Sequence, residues 1–147
     1  MLTWYFFGGI IEQVYAYLYP GSGTWIYLGL YLVAIVVSSI TTFFKHRDNP
    51  AYNSLGASGG VSAIVFSSIL FNPTSDILLF FVIPIPGFIL GALFLLYSYQ
   101  QSQQMRGGIN HDAHFLGAVF GVLFTVVIEP QVINSFFEQI ANYRLFG

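Results

Sequence analysis

Only 7% of this chain's 147 residues are charged, and that scarcity constrains the fold more than any other feature. A water-soluble domain carries charge at roughly a quarter of its positions. Here 56% of the residues are hydrophobic, against four basic and six acidic side chains. Too few polar groups exist to coat a globule, so lipid must be the main solvent. The aromatic share of 19% suits a bilayer and its interfaces. The composition predicts an all-α, polytopic transmembrane helix bundle, because unpaired backbone groups are too costly in hydrocarbon for isolated strands.

The same numbers exclude several classes of function. Lys45, Arg47, Arg106 and Arg144 are the whole basic complement, so there is no basic patch for nucleic acid. Cysteine is absent, which removes disulfides and thiolate chemistry. The apolar N-terminus lacks a basic leader region and a clear cleavage site. The chain is therefore expected to enter the membrane through its own spans.

A spanning helix needs about 20 mostly apolar residues. Leu2 to Tyr19 is a first stretch, short for a full span, stopped by the turn signal Pro20-Gly21-Ser22-Gly23. Trp25 to Phe44 is full-length and uncharged, and Lys45 to Pro50 closes it. A third stretch runs from about Ser54 to Phe71 and begins rich in Gly, Ala and Ser. Pro84 and Pro86 break the fourth, since proline inside a helix removes a donor and clashes with the preceding turn. This places a helix from near Pro86 to Ser102, preceded by Ile77 to Ile83 as an apolar connection dipping into the membrane. Ala113 to Ile128 is the fifth stretch, and residues 130–147 read as an interfacial tail. The organisation expected is one domain over residues 1–147 with five helical stretches.

Two clusters carry chemistry. Gly56-Ala57-Ser58-Gly59-Gly60 formally matches G-x-S-x-G, but the nucleophile elbow requires a strand-to-helix turn, and these surroundings are apolar helix. Ser58 instead falls near a helix N-terminus, where backbone N–H groups lack intrahelical partners and can stabilise an oxyanion. Gly56, Ala57 and Gly59 leave room for a substrate backbone. Read alone, Gly56 and Gly60 are better explained as a GxxxG helix-packing pair.

The second cluster is Asn110-His111-Asp112-Ala113-His114, followed by Gly117 and Gly121. His114, Gly117 and Gly121 share a helix face, and the two glycines form another GxxxG pair. An ionisable residue inside a membrane is a functional candidate by default. His111, nearer the loop, is expected to be satisfied by water, and His46 beside Lys45 and Arg47 to be a solvated loop residue. Metal binding by His111-x-x-His114 is the competing use, but a zinc peptidase would more typically show H-E-x-x-H. One spanning helix separates the two clusters, so both helices enter from the same side. Ser58 and His114 are then expected at similar depth, where an imidazole can take the serine proton.

These residues resemble a known family. Gly56-Ala57-Ser58-Gly59 is similar to the GxSG motif opening the fourth helix of rhomboid proteases. Ala113-His114-Phe115-Leu116-Gly117, with Gly121, resembles their sixth-helix AHxxG motif. Gly8-Gly9-Ile10-Ile11-Glu12 looks like their glycine-glutamate segment late in helix two. The resemblance covers residues 1 to about 129 and implies a six-helix bundle around a serine–histidine dyad. It makes Ser58 the nucleophile and His114 the general base, with the Ser58 N–H contributing to the oxyanion hole.

The resemblance also marks departures. The chain begins within the family's second helix, without the upstream His and Asn that help hold the oxyanion, and is read as truncated relative to the six-helix core. Ser62 stands where relatives often carry an aromatic against the histidine. Family topology puts the Lys45–Arg47 and Arg106 loops outside, opposite to positive-inside counting; with four basic residues voting, the family topology is preferred.

The function expected is an intramembrane serine endopeptidase cleaving membrane-anchored proteins, in the cell (inner) membrane, with no cofactor and no metal. Its partners are transmembrane substrates and the lipid bilayer, not nucleic acid. The alternative is a catalytically silent rhomboid-like protein that binds membrane helices. A transporter fragment is weaker, since no paired charges or inverted repeat occur.

Overall fold

A computed structural model describes residues 2–48, 57–79, 83–104 and 111–143. The order of elements is α1 (Leu2–Leu18), α2 (Gly23–His46), α3 (Ala57–Phe71), β1 (Asp76–Leu79), β2 (Ile83–Pro86), α4 (Gly87–Gln104), α5 (His111–Ile128) and α6 (Val132–Ala141). The chain is thus mostly helical.

The turn signal between α1 and α2 works through Gly21, whose φ of 88° belongs to the left-handed region. The Gly23 N–H then donates to the Tyr19 carbonyl at 2.8 Å. Gly23 packs against the backbone of Ala16 with no room for a side chain. The two helices fold back on each other, so Trp4 meets Tyr31 and Gly8 meets Tyr27.

α3 is the axis of the bundle. It touches all five other helices among the described residues, and its buried residues run nearly unbroken from Gly59 to Leu70. Its composition permits this, because Gly, Ala and Ser on several faces let neighbours approach from more than one direction. The core gathers Ile11 and Tyr15 of α1, Tyr27, Leu30 and Ala34 of α2, and Ala63 and Ile64 of α3.

Two helices have the length and apolarity to cross a bilayer, Gly23–Phe44 within α2 and His111–Ile128. α3, with 15 residues, is shorter. At about 1.5 Å per residue it extends roughly 22 Å.

Two expectations are corrected. The segment after α3 is not a simple apolar connection: β1 and β2 pair antiparallel, with Asp76 opposite Pro86 and Leu79 opposite Ile83. Pro84 and Pro86 are two residues apart, so their missing donors point to the same outer edge while Ile83 and Ile85 keep their N–H groups for the partner strand. The hairpin pairs its inward-facing backbone groups between the two strands and adds a small β element to the expected all-α class. Second, the tail contains a sixth helix. α6 has 10 residues, too few to span, and it lies across the end of α3 and α5. Val132 is buried and Gln139 Nε2 donates to the Phe71 carbonyl at 3.1 Å.

Candidate active site

The site is built on the seam between α3 and α5. Gly117 faces Gly59, Gly121 faces Ala63, and Thr125 faces Ser67, each pair separated by the same 58 residues. Both numbers rise together, so the helices run parallel and their N-termini share one end. The four-residue spacing on each strand of the seam is one helical face. A methyl group added at Gly117 would stand 2.8 Å from the Gly59 Cα, and one at Gly121 2.6 Å from the Ala63 Cα. Backbone cannot yield as a flexible side chain does, so the glycines set how closely the helices approach.

At the shared N-terminal end, Ala57 is exposed, Ser58 half-buried, and Gly59 and Gly60 buried. Gly56 lies outside the described residues. A methyl group at Gly59 would meet the Ser38 side chain of α2 and come within 3.2 Å of the Ala113 carbonyl oxygen. Gly59 therefore rests between Ala113 and Gly117, against the turn that carries His114. Gly60 turns toward α2, where an added methyl would lie 2.8 Å from the Tyr31 ring and 2.9 Å from Ile35. Ser62 donates to the Ser58 carbonyl at 3.2 Å, a local bond back to the preceding turn.

His114 is half-buried. The Phe94 ring of α4 lies 6.1 Å from the imidazole at 37°, and the His111 ring 6.3 Å away, edge-on. Tyr97 meets His111 edge-on at 5.5 Å. His111 is half-buried, and its Nδ1 is out of contact with solvent and has no hydrogen-bond partner among the described residues. Asp112, in the first turn of α5, places negative charge where the helix dipole favours it. Among the described residues no three His, Asp or Glu side chains gather as a metal site. The His46 side chain lies outside those described.

Two turns down the same seam the chemistry changes. Thr125 Oγ1 is 2.7 Å from Ser67 Oγ and 2.7 Å from the Gly121 carbonyl oxygen. The Tyr15 hydroxyl of α1 joins them, 3.2 Å from Thr125 Oγ1 and 3.4 Å from Ser67 Oγ. All three residues are fully buried. Beyond them, the Tyr19 hydroxyl lies 2.7 Å from the Ile128 carbonyl and 3.0 Å from a Glu129 carboxylate oxygen. It donates to one at a time.

Sequence reasoning did not single out Phe94, Tyr97, Ser38 or the Tyr15–Ser67–Thr125 cluster. For the cluster a signal existed. Extending the spacing Gly117–Gly121 by four reaches Thr125, and extending Gly59–Ala63 by four reaches Ser67. Phe94 is one aromatic in an apolar helix, and nothing local marks it.

The Rhomboid domain model matches residues 1–131 of the chain. This protein belongs to the rhomboid family. A curated relative, the RHOMBOID-like protein 12, mitochondrial, of Arabidopsis thaliana, is 27% identical over 138 residues. The match takes in 84% of this chain and 39% of that relative, so the chain spans about two fifths of the relative's length. No solved structure gives a significant match. The match to the rhomboid domain takes in both helices of the seam and the hairpin between α3 and α4, and it ends where α6 begins.

Proposed function

We propose that this chain is a single rhomboid membrane domain acting as an intramembrane serine endopeptidase, with Ser58 as nucleophile and His114 as general base. One observation carries the reading. Gly59 is seated between Ala113 and Gly117 on parallel helices, so Ser58 precedes the seated residue directly and His114 falls between the two residues that flank it, at the same end.

The chemistry follows from those positions. The Ser58 hydroxyl attacks the scissile carbonyl carbon as His114 takes its proton. The tetrahedral oxyanion is held by first-turn N–H groups of α3, that of Ser58 among them. The C–N bond breaks, His114 returns the proton to the leaving amine, and water deacylates the serine by the reverse sequence. Ala57, which is exposed, leaves space for a substrate backbone, as Gly56 would, whereas the expected access role of Gly59 gives way to its contact with Ala113 and Gly117. Gly60, Gly117 and Gly121 act by letting helices close.

Membrane placement is supported by where polarity sits. Trp25 and Val127 are 74% and 76% exposed, while Ser38, Ser67, Ser98 and Thr125 are fully buried. That is the reverse of a water-soluble domain, and it suits a bundle whose outside is lipid. Substrates would then be membrane-anchored proteins. The cell membrane is the proposed location; the Arabidopsis relative carries a mitochondrial name.

The direct test is labelling of the detergent-purified protein with a fluorophosphonate probe. Labelling is expected for the wild type and expected to vanish in both Ser58→Ala and His114→Ala. Labelling that ignores either residue, or none at all, sinks the peptidase reading. Capture of membrane helices by an unlabelled wild type, surviving Ser58→Ala, would establish the silent binding protein instead.

A further inference from the structure

We infer that Phe94 of α4 is a positioning residue for His114, so that the seating of α4 sets the orientation of the general base. The inference rests on the dyad reading above and extends it to a helix that carries neither dyad residue.

Three observations lead there. First, α4 offers Phe94 and Tyr97, three residues apart, and α5 offers His114 and His111, three residues apart. Each aromatic meets one imidazole, at 6.1 Å and 5.5 Å. Residues three apart share a helix face, so two faces are matched ring for ring. Second, Phe94 is backed by Phe66 of α3 at 5.8 Å. Its ring thus bridges the two helices that carry Ser58 and His114. Third, α4 is seated closely at its start. A methyl group at Gly91 would stand 3.2 Å from Ile69, and one at Gly87 3.3 Å from the Pro73 carbonyl oxygen.

The chemistry explains why a hydrocarbon ring suits this role. The second side-chain torsion of histidine is broad and nearly two-fold, so packing must choose which nitrogen faces a partner. A tilted ring against the imidazole restricts that rotation and uses neither nitrogen. Both stay available for proton transfer. Displacement of α4 takes the ring away and frees the imidazole to turn.

The test compares Phe94→Leu, Phe94→Tyr and Phe88→Leu in the detergent-purified protein. Phe88 pairs with Tyr143 at the other end of α4 and controls for loss of an α4 ring as such. Two readouts are taken: kcat and KM on a transmembrane substrate, and the imidazole resonances of His114 with carbon-13-labelled histidine, assigned through His114→Gln.

Phe94→Leu is expected to lower kcat about tenfold, less than the ~100-fold that a ~1 Å misplacement can cost. KM should stay within about twofold, the pattern of a lost transition-state interaction. Phe94→Tyr should recover most of the rate, and Phe88→Leu should leave it unchanged. His114 resonances should move in Phe94→Leu and not in Phe88→Leu. Wild-type kcat in Phe94→Leu, or unmoved His114 resonances, overturns the inference. Where Phe94→Leu does not fold, Phe94→Met, close in volume but without a ring, takes its place. An inactive wild type defeats the dyad reading, yet the resonances still decide whether Phe94 holds the His114 ring.

Discussion

The two ends of the α3–α5 seam hold the same helices together by different means. At the end bearing Ser58 and His114, backbone lies on backbone: Gly59 on Gly117, with Gly121 on Ala63 a turn below. At the far end, Ser67 and Thr125 are joined by a hydrogen bond, and Tyr15 of α1 closes over both. Glycine contact gives closeness but specifies register weakly, because little protrudes to interlock. Hydroxyl contact specifies register, because a one-residue slip breaks every bond in the cluster. The seam is thus closest at the end that bears Ser58 and His114 and is fixed in register at the opposite end.

Substitutions can break this contrast, and the largest effect is expected at the glycine end. Gly117→Val would drive a branched side chain into the Gly59 backbone, and overpacking of this kind costs about 2–3 kcal/mol. The purified protein should melt lower, and fluorophosphonate labelling should fall with it. Wild-type stability would mean that the helices separate without penalty and that close approach is not what the glycines supply.

At the hydroxyl end Thr125→Val keeps the shape and removes the bonds. The expected loss is about 1–2 kcal/mol, since Ser67 and Tyr15 are left buried and short of a partner. Together with Ser67→Ala, the double variant should lose less than the sum of the singles, which is the signature of one shared interaction. Additivity would separate the two residues.

Tyr15→Phe is milder. It retains the ring that meets Phe71 edge-on at 5.7 Å and removes one hydroxyl, for about 0.6 kcal/mol. A cost equal to that of Thr125→Val would make α1, rather than the seam, the anchor of the cluster.

The smallest effect is expected beyond the cluster, at Tyr19. Removal from solvent, then the hydrogen bond to Glu129 and its charge, push the Tyr19 hydroxyl above the ordinary tyrosine value. The folded chain therefore holds this proton more tightly than the unfolded chain does. The resulting stabilisation is full below about pH 10, the unfolded value, and fades as pH rises from there through the folded value. Tyr19→Phe should remove that dependence, so the small stability gap between wild type and variant should narrow above pH ~10 in thermal melts. A gap that widens there would reverse the assignment.

Much of this architecture was legible residue by residue. Pro20-Gly21 marked the α1–α2 turn, and Gly21 is the one residue there that needs a left-handed backbone. The expected helix near Pro86 to Ser102 became α4 at Gly87–Gln104, and Ala113 to Ile128 became α5 at His111–Ile128. The hairpin was missed because Pro84 and Pro86 announce that a helix stops without saying what replaces it. Tyr97 over His111 was missed because an interfacial histidine and a packed one have the same local sequence.

The sequence by itself determined a nearly chargeless chain with too few polar side chains to coat a globule. It also determined where the helices break, and two glycine-lined clusters bearing Ser58 and His114 with one helix between them. Those are local properties, written in composition, spacing and the special backbones of Gly and Pro. Only the tertiary structure decided that Gly59 rests on Gly117, that Tyr15 reaches Thr125 across 110 positions, and that Phe94 of α4 supplies the ring at His114. Such contacts depend on how whole helices pack. No residue's immediate neighbours encode which distant side chain will lie against it.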